Sequence, residues 1–138
     1  MYEIELKQLI ESRSVHRLKG TSEVKVKEIE DKLNVTLPES YKWLLKEYGS
    51  VSFDGMDIDG VGLNDVHISL ANTEDWQDYG IPGGYVVIFE PGADWVYCLD
   101  TENHKQGECP IVAWYQGQEI GDKEADNLYE FIIQGLDS

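Results

Sequence analysis

Positive charge all but disappears from this sequence after residue 46. Residues 47–138 hold 2 basic side chains, Lys105 and Lys123, against 19 Asp and Glu, a sum of -17. Residues 1–46 hold 9 basic against 8 acidic, a sum of +1, and the two parts give the formal charge of -16. A surface of that sign repels nucleic acid and anionic lipid and attracts cationic partners. Acidity that serves only solubility is the simpler alternative. Cysteine is scarce too. Cys98 and Cys109 are far from the density of a disulfide-stapled secreted domain, so both are expected as free thiols. Long apolar runs are missing: Tyr85-Val86-Val87-Ile88-Phe89 has strand length and is far too short to cross a bilayer. The opening Met1-Tyr2-Glu3-Ile4-Glu5-Leu6-Lys7 places carboxylates where a secretory signal needs basic residues and then an apolar run. A cytoplasmic protein is expected.

Catalytic and metal-binding patterns are also lacking. His16, His67 and His104 are scattered, and neither a Gly-x-Ser-x-Gly elbow nor a phosphate-cradling glycine loop accompanies them. Asp57-Ile58-Asp59-Gly60 suggests a calcium loop, but that loop needs an acid where Gly55 stands and a bidentate Glu where Val66 stands. Cys98, His104 and Cys109 lack zinc-ligand spacing, and a fourth ligand would have to be an unmarked carboxylate. A buried Cys98 behaving as a small apolar group is the plainer reading. No catalytic residue, metal or cofactor is expected.

What is present is enough to fold. Hydrophobic residues make up 41% and aromatics 11% of 138 residues, the size of one domain with one core, so 1–138 is read as a single domain. Ile4, Leu6, Leu9 and Ile10 recur near helical spacing and predict a first helix from Glu3 to about Ser14. Gly20-Thr21-Ser22 breaks the pattern and offers an N-cap hydroxyl for a second helix carrying Val26, Ile29 and Leu33 and ending near Asn34. Thr36-Leu37-Pro38-Glu39 has capping-box spacing and announces a third helix, with Leu37, Tyr41, Leu44, Leu45 and Tyr48 on one face and Gly49 as its stop. From Gly49 to about Gly84 no helical stripe survives, and loops with short strands are expected. Tyr85–Phe89, Trp95–Leu99 and Ile111–Tyr115, rich in β-branched and aromatic residues, predict consecutive antiparallel strands. Trp95, Tyr97 and Leu99 share one face of the middle strand, and Val96 and Cys98 the other. Asn127-Leu128-Tyr129-Glu130 resembles another capping box, ahead of a closing helix with Phe131, Ile132 and Leu136. The fold class is α+β.

One constellation stands out. Thr73-Glu74-Asp75-Trp76-Gln77-Asp78-Tyr79 sets two aromatics inside a carboxylate run, the composition of an interface anchor. The competing reading is that Trp76 and Tyr79 cover an open sheet edge. As an interface, the segment from Asp54 to Asp78 would offer Asp54, Asp57, Asp59, Glu74, Asp75, Trp76 and Asp78, with Asp94 and Trp95 as neighbours.

The run from Ile29 through Asn34-Val35-Thr36-Leu37-Pro38-Glu39-Ser40-Tyr41 to Leu44-Leu45-Lys46-Glu47-Tyr48-Gly49 resembles the N-terminal signature of the SMI1/KNR4 family of the SUKH superfamily. Phe89-Glu90-Pro91-Gly92, Cys98-Leu99-Asp100, Pro110-Ile111-Val112-Ala113-Trp114 and Ala125 to Ile132 follow in the order of that family, so the resemblance spans about residues 22–136. It implies a mixed, mainly antiparallel sheet with helices packed on one side. In bacteria it further implies an immunity protein that neutralises a cognate polymorphic toxin domain, often a nuclease. The acidity agrees with that role, because an anionic protein can occupy the basic surface with which a nuclease holds phosphates. The alternative is a non-enzymatic scaffold or regulatory domain, the role the resemblance implies for fungal members. In either case the partner is a protein, with no nucleic acid and no membrane involved.

Overall fold

Local chemistry sets several of the helix ends. In the computed structural model, which describes residues 2–137, helix α1 spans Glu3–Arg13 and buries Leu6 and Ile10. Helix α2, Glu23–Leu33, begins where the Ser22 hydroxyl accepts the Lys25 N–H at 3.3 Å and ends where Asn34 turns left-handed at φ 55°. Helix α3, Glu39–Tyr48, stops at Gly49, whose φ of 72° suits a residue without Cβ.

The start of α3 corrects the capping-box expectation. Pro38 occupies the N-cap, and the freed amides find distant acceptors: Glu39 N–H donates to the Gly107 carbonyl at 2.8 Å and Ser40 N–H to Glu108 Oε2 at 3.2 Å. Thr36 sits two residues before the N-cap, and its carbonyl meets His104 Nε2 at 2.6 Å.

All strand pairs are antiparallel and form two sheets, one of three strands and one of four. β1 (His16–Arg17), β2 (Val51–Phe53) and β3 (Met56–Ile58) make the smaller. The larger has the order β4 (Tyr85–Phe89), β5 (Trp95–Asp100), β6 (Ile111–Tyr115) and β7 (Asp122–Ala125). Its first three strands fall where β-branched and aromatic composition puts them. Helix α5, Leu128–Asp137, follows β7, and the Asn127 side chain accepts the Glu130 N–H at 2.9 Å at its start.

Between Gly49 and Gly84, β2 and β3 are the short strands expected, but helix α4, Ile68–Gln77, stands where no helix was expected. Its buried face is Ser69, Leu70, Thr73 and Trp76. The spacing is helical, but two of the four are hydroxyl residues, so no apolar stripe marks it in the sequence. Those hydroxyls close the outer edge of β4. Thr73 Oγ1 accepts the Val87 N–H at 2.9 Å, and Ser69 Oγ donates to the Val87 carbonyl at 2.6 Å. An edge strand left open would template aggregation.

The four-stranded sheet is buried on both faces. Val86, Ile88, Leu99, Ile111 and Ala125 join α1, α2, α3 and α5 in the main core, while Val87, Val96, Cys98, Val112 and Trp114 form a second layer with Trp76 and Ile81. α4 straddles the edge between the layers, contributing Leu70 to the first and Trp76 to the second. Helical cover is thus heaviest on one side but present on both.

Candidate functional site

The residues proposed from sequence divide into two surfaces. On α4, Glu74 and Asp75 are exposed, as is Asp78 just beyond its end, and Tyr79 is 62% exposed. Trp76 is 8% exposed and belongs to the core: it meets Trp114 edge-on at 6.0 Å and Tyr79 at 5.9 Å, and its indole N–H donates to Glu90 Oε2 at 2.5 Å. The aromatic in the carboxylate run therefore packs over the sheet edge, and no loop carries it.

Asp54 and Asp57 are exposed, in the β2–β3 turn and on β3. Asp59, directly after β3, is half-buried, and burial pushes its carboxyl up to about 6, with the charges of Asp57 and Glu90 adding to the effect. Glu90 thus links the Asp57–Asp59 pair to Trp76 of α4.

Trp95 opens β5 and Asp94 directly precedes it, on a separate patch. Asp94 is exposed, and Trp95 is half-buried, stacked on Tyr115 at 5.3 Å and edge-on to Tyr97 at 4.9 Å. Tyr97, Tyr115, Phe89 and Glu124 in this neighbourhood were not singled out from sequence. The signal was available in part: Trp95 and Tyr97 alternate with Val96, which places both rings on one face.

Sequence reasoning also missed a cavity of about 680 Å³, lined among others by Asp100, Lys105, Glu108, Lys123 and Asn127. The only two lysines of residues 47–138 both lie here. Its buried polar groups are already engaged: Glu108 with Ser40, Asp100 with Asn103 at 2.7 Å, and Asn127 with the Tyr2 hydroxyl at 3.2 Å.

The candidate reactive groups do not converge. Cys98 and Cys109 are buried free thiols, and burial pushes both up, away from the reactive thiolate. His67 Nε2 lies 3.0 Å from Glu28, while His16 and His104 are exposed on other parts of the fold. Among the described residues no group of three or more His, Cys, Asp or Glu is placed to hold a metal ion, and no helix is long and apolar enough to cross a membrane.

A solved protein from Pseudomonas syringae pv. tomato shares this architecture with a TM-score of 0.57 at 18% identity, covering 82% of this chain and 83% of that one. A family model described as SMI1-KNR4 cell-wall matches residues 3–137. With nearly its whole length matched, this chain belongs to the SMI1/KNR4 (SUKH) family.

Proposed function

We propose that the chain is an immunity-type protein that binds and neutralises a cognate toxin domain, a basic nuclease being the class its charge fits best. The observation that carries this reading is the charge map: -17 over residues 47–138, with Asp54, Asp57, Glu74, Asp75, Asp78 and Asp94 all exposed. A nuclease must present basic surface to phosphates, and an anionic protein seated there excludes the substrate. The protein acts in the cytoplasm by occupancy and not by catalysis. Two buried thiols and three dispersed histidines support that part of the reading.

The test is co-expression with the C-terminal domain of a secreted protein encoded immediately upstream. Restored growth, together with association that slows strongly between about 50 and about 500 mM salt, is the expected result, because exposed charges are screened over roughly 10 Å at 0.1 M. Unrelieved toxicity with no complex formed overturns the proposal.

The cell-wall description of the matched family favours a second reading, a scaffold or regulatory domain without a toxin partner. A gene neighbourhood with no toxin-like open reading frame selects it.

A further inference from the structure

The face of β5 carrying Trp95, Tyr97 and Leu99 changes character along its length. Leu99 is fully buried under the helices. Tyr97 is half-buried, edge-on to Phe131 of α5 at 4.8 Å and stacked with Phe89 at 5.9 Å. Beyond it the helices give out: Trp95 stacks on Tyr115 with the rings 12° from parallel, and Tyr115 is 43% exposed. Four rings, Phe89, Tyr97, Trp95 and Tyr115, thus run in contact from α5 to the open end of the sheet. Trp95 also packs on Gly92, so closely that a Cβ there would come within 2.4 Å of the indole nitrogen.

The rim of this strip is negative. Glu124 lines a cleft of about 290 Å³ together with Met56, Phe89, Tyr97 and Phe131. Asp122 pairs across from Ala113, itself paired with Tyr97, so its side chain leaves the sheet on the aromatic face. Asp94 is exposed beside Trp95. Lys105 and Lys123 line the other cavity and do not line this cleft.

We propose that Trp95, Tyr97 and Tyr115, rimmed by Asp94, Asp122 and Glu124, form the docking surface for an arginine-bearing basic segment of the protein partner. The proposal rests on the reading of the partner as cationic. A flat guanidinium stacks on exposed indole and phenol faces while its fork of donors meets carboxylates, and an ammonium does only the second of these well. A second copy of the chain is a poor occupant, since each copy brings a charge of -16. Rings already packed on one another lose little side-chain freedom when a partner arrives.

The experiment is a titration of the full chain with an alternating Arg-Gly peptide and its Lys-Gly counterpart, followed by amide and indole NMR shifts at low salt. The expected result is saturable shifts centred on the Trp95 indole, Tyr97, Tyr115 and Glu124, with the arginine peptide bound about fivefold tighter than the lysine one. Trp95→Ala should weaken binding about fivefold, Trp95→Phe should restore most of it, and Glu124→Gln, which leaves the rings in place, should weaken it about twofold. Shifts centred on Glu74, Asp75 and Asp78, equal affinity for the two peptides, or a concentration-dependent dimer seated on Trp95 overturn the site. The cationic-partner reading survives the first of these outcomes. Absence of any peptide binding also overturns the site, and the toxin reading is then decided by the co-expression experiment alone.

Discussion

Glu108 caps helix α3 from 68 residues downstream, its Oε1 accepting the Ser40 hydroxyl at 2.5 Å and its Oε2 the Ser40 amide at 3.2 Å. The carboxyl is buried, and burial pushes its pKa up against the lowering pull of the two Ser40 bonds. A negative group at a helix N-terminus also answers the partial positive charge of the unpaired amides.

Removing that carboxyl should therefore unsettle the whole junction between α3 and the β5–β6 connection. Glu108→Ala is expected to cost about 2–3 kcal/mol, because it leaves two buried donors of Ser40 without an acceptor. Thr36→Ala, which would be damaging if the expected capping box existed, should stay within about 0.5 kcal/mol. Urea midpoints of the two variants decide the matter, and a larger loss from Thr36→Ala would restore the local cap.

The seal between α4 and β4 predicts a second effect. Thr73→Val keeps the side-chain shape but strands the Val87 N–H, at a cost of about 1–3 kcal/mol. Thr73→Ser retains the acceptor and should be milder. Chemical denaturation would show the order, and equal midpoints for Val and Ser would mean that the hydroxyl contributes nothing there.

Trp76 and Trp95 should respond in opposite currencies. Trp76→Ala empties a site that is 8% exposed beside Trp114 and should lower stability by about 3–5 kcal/mol. Trp95→Ala should lower stability much less and affinity for a basic partner more. Paired melting and binding curves separate the two; a stable Trp76→Ala protein that has lost only binding would return the anchor to α4.

Asp59 makes a pH prediction. Its folded pKa, about 6, lies above the usual carboxylate value, so the folded state binds its proton more tightly than the unfolded chain does. The associated stability is fully present below the unfolded pKa of about 4 and is lost as pH rises through 6. Asp59→Asn should therefore gain on the wild type as pH rises from about 4 to about 7, by about 1 kcal/mol once solvent screening of a half-exposed group is allowed for. Parallel stability profiles for the two proteins would contradict this.

The sequence by itself determined the elements whose signals are local. Ser22, Asn34 and Gly49 mark helix ends with their own side chain or their own φ, and alternating β-branched and aromatic residues mark β4, β5 and β6. It also carried the family, because the order of short motifs survives along the whole chain. Tertiary structure alone decided the rest, where the partner of each group lies far along the chain. α4 is invisible to apolar periodicity because Ser69 and Thr73 are buried for their hydrogen bonds to Val87, 18 and 14 residues away. The cap of α3 comes from Glu108, which no window around Thr36 contains. Trp76 sits among carboxylates in sequence and in the core in space, because a helix turns its i, i+4, i+7 positions inward and leaves Glu74, Asp75 and Asp78 to water. The open aromatic strip arises for the complementary reason: Tyr115 meets Trp95 only through the pairing of β5 with β6, and the helical layer stops short of both rings.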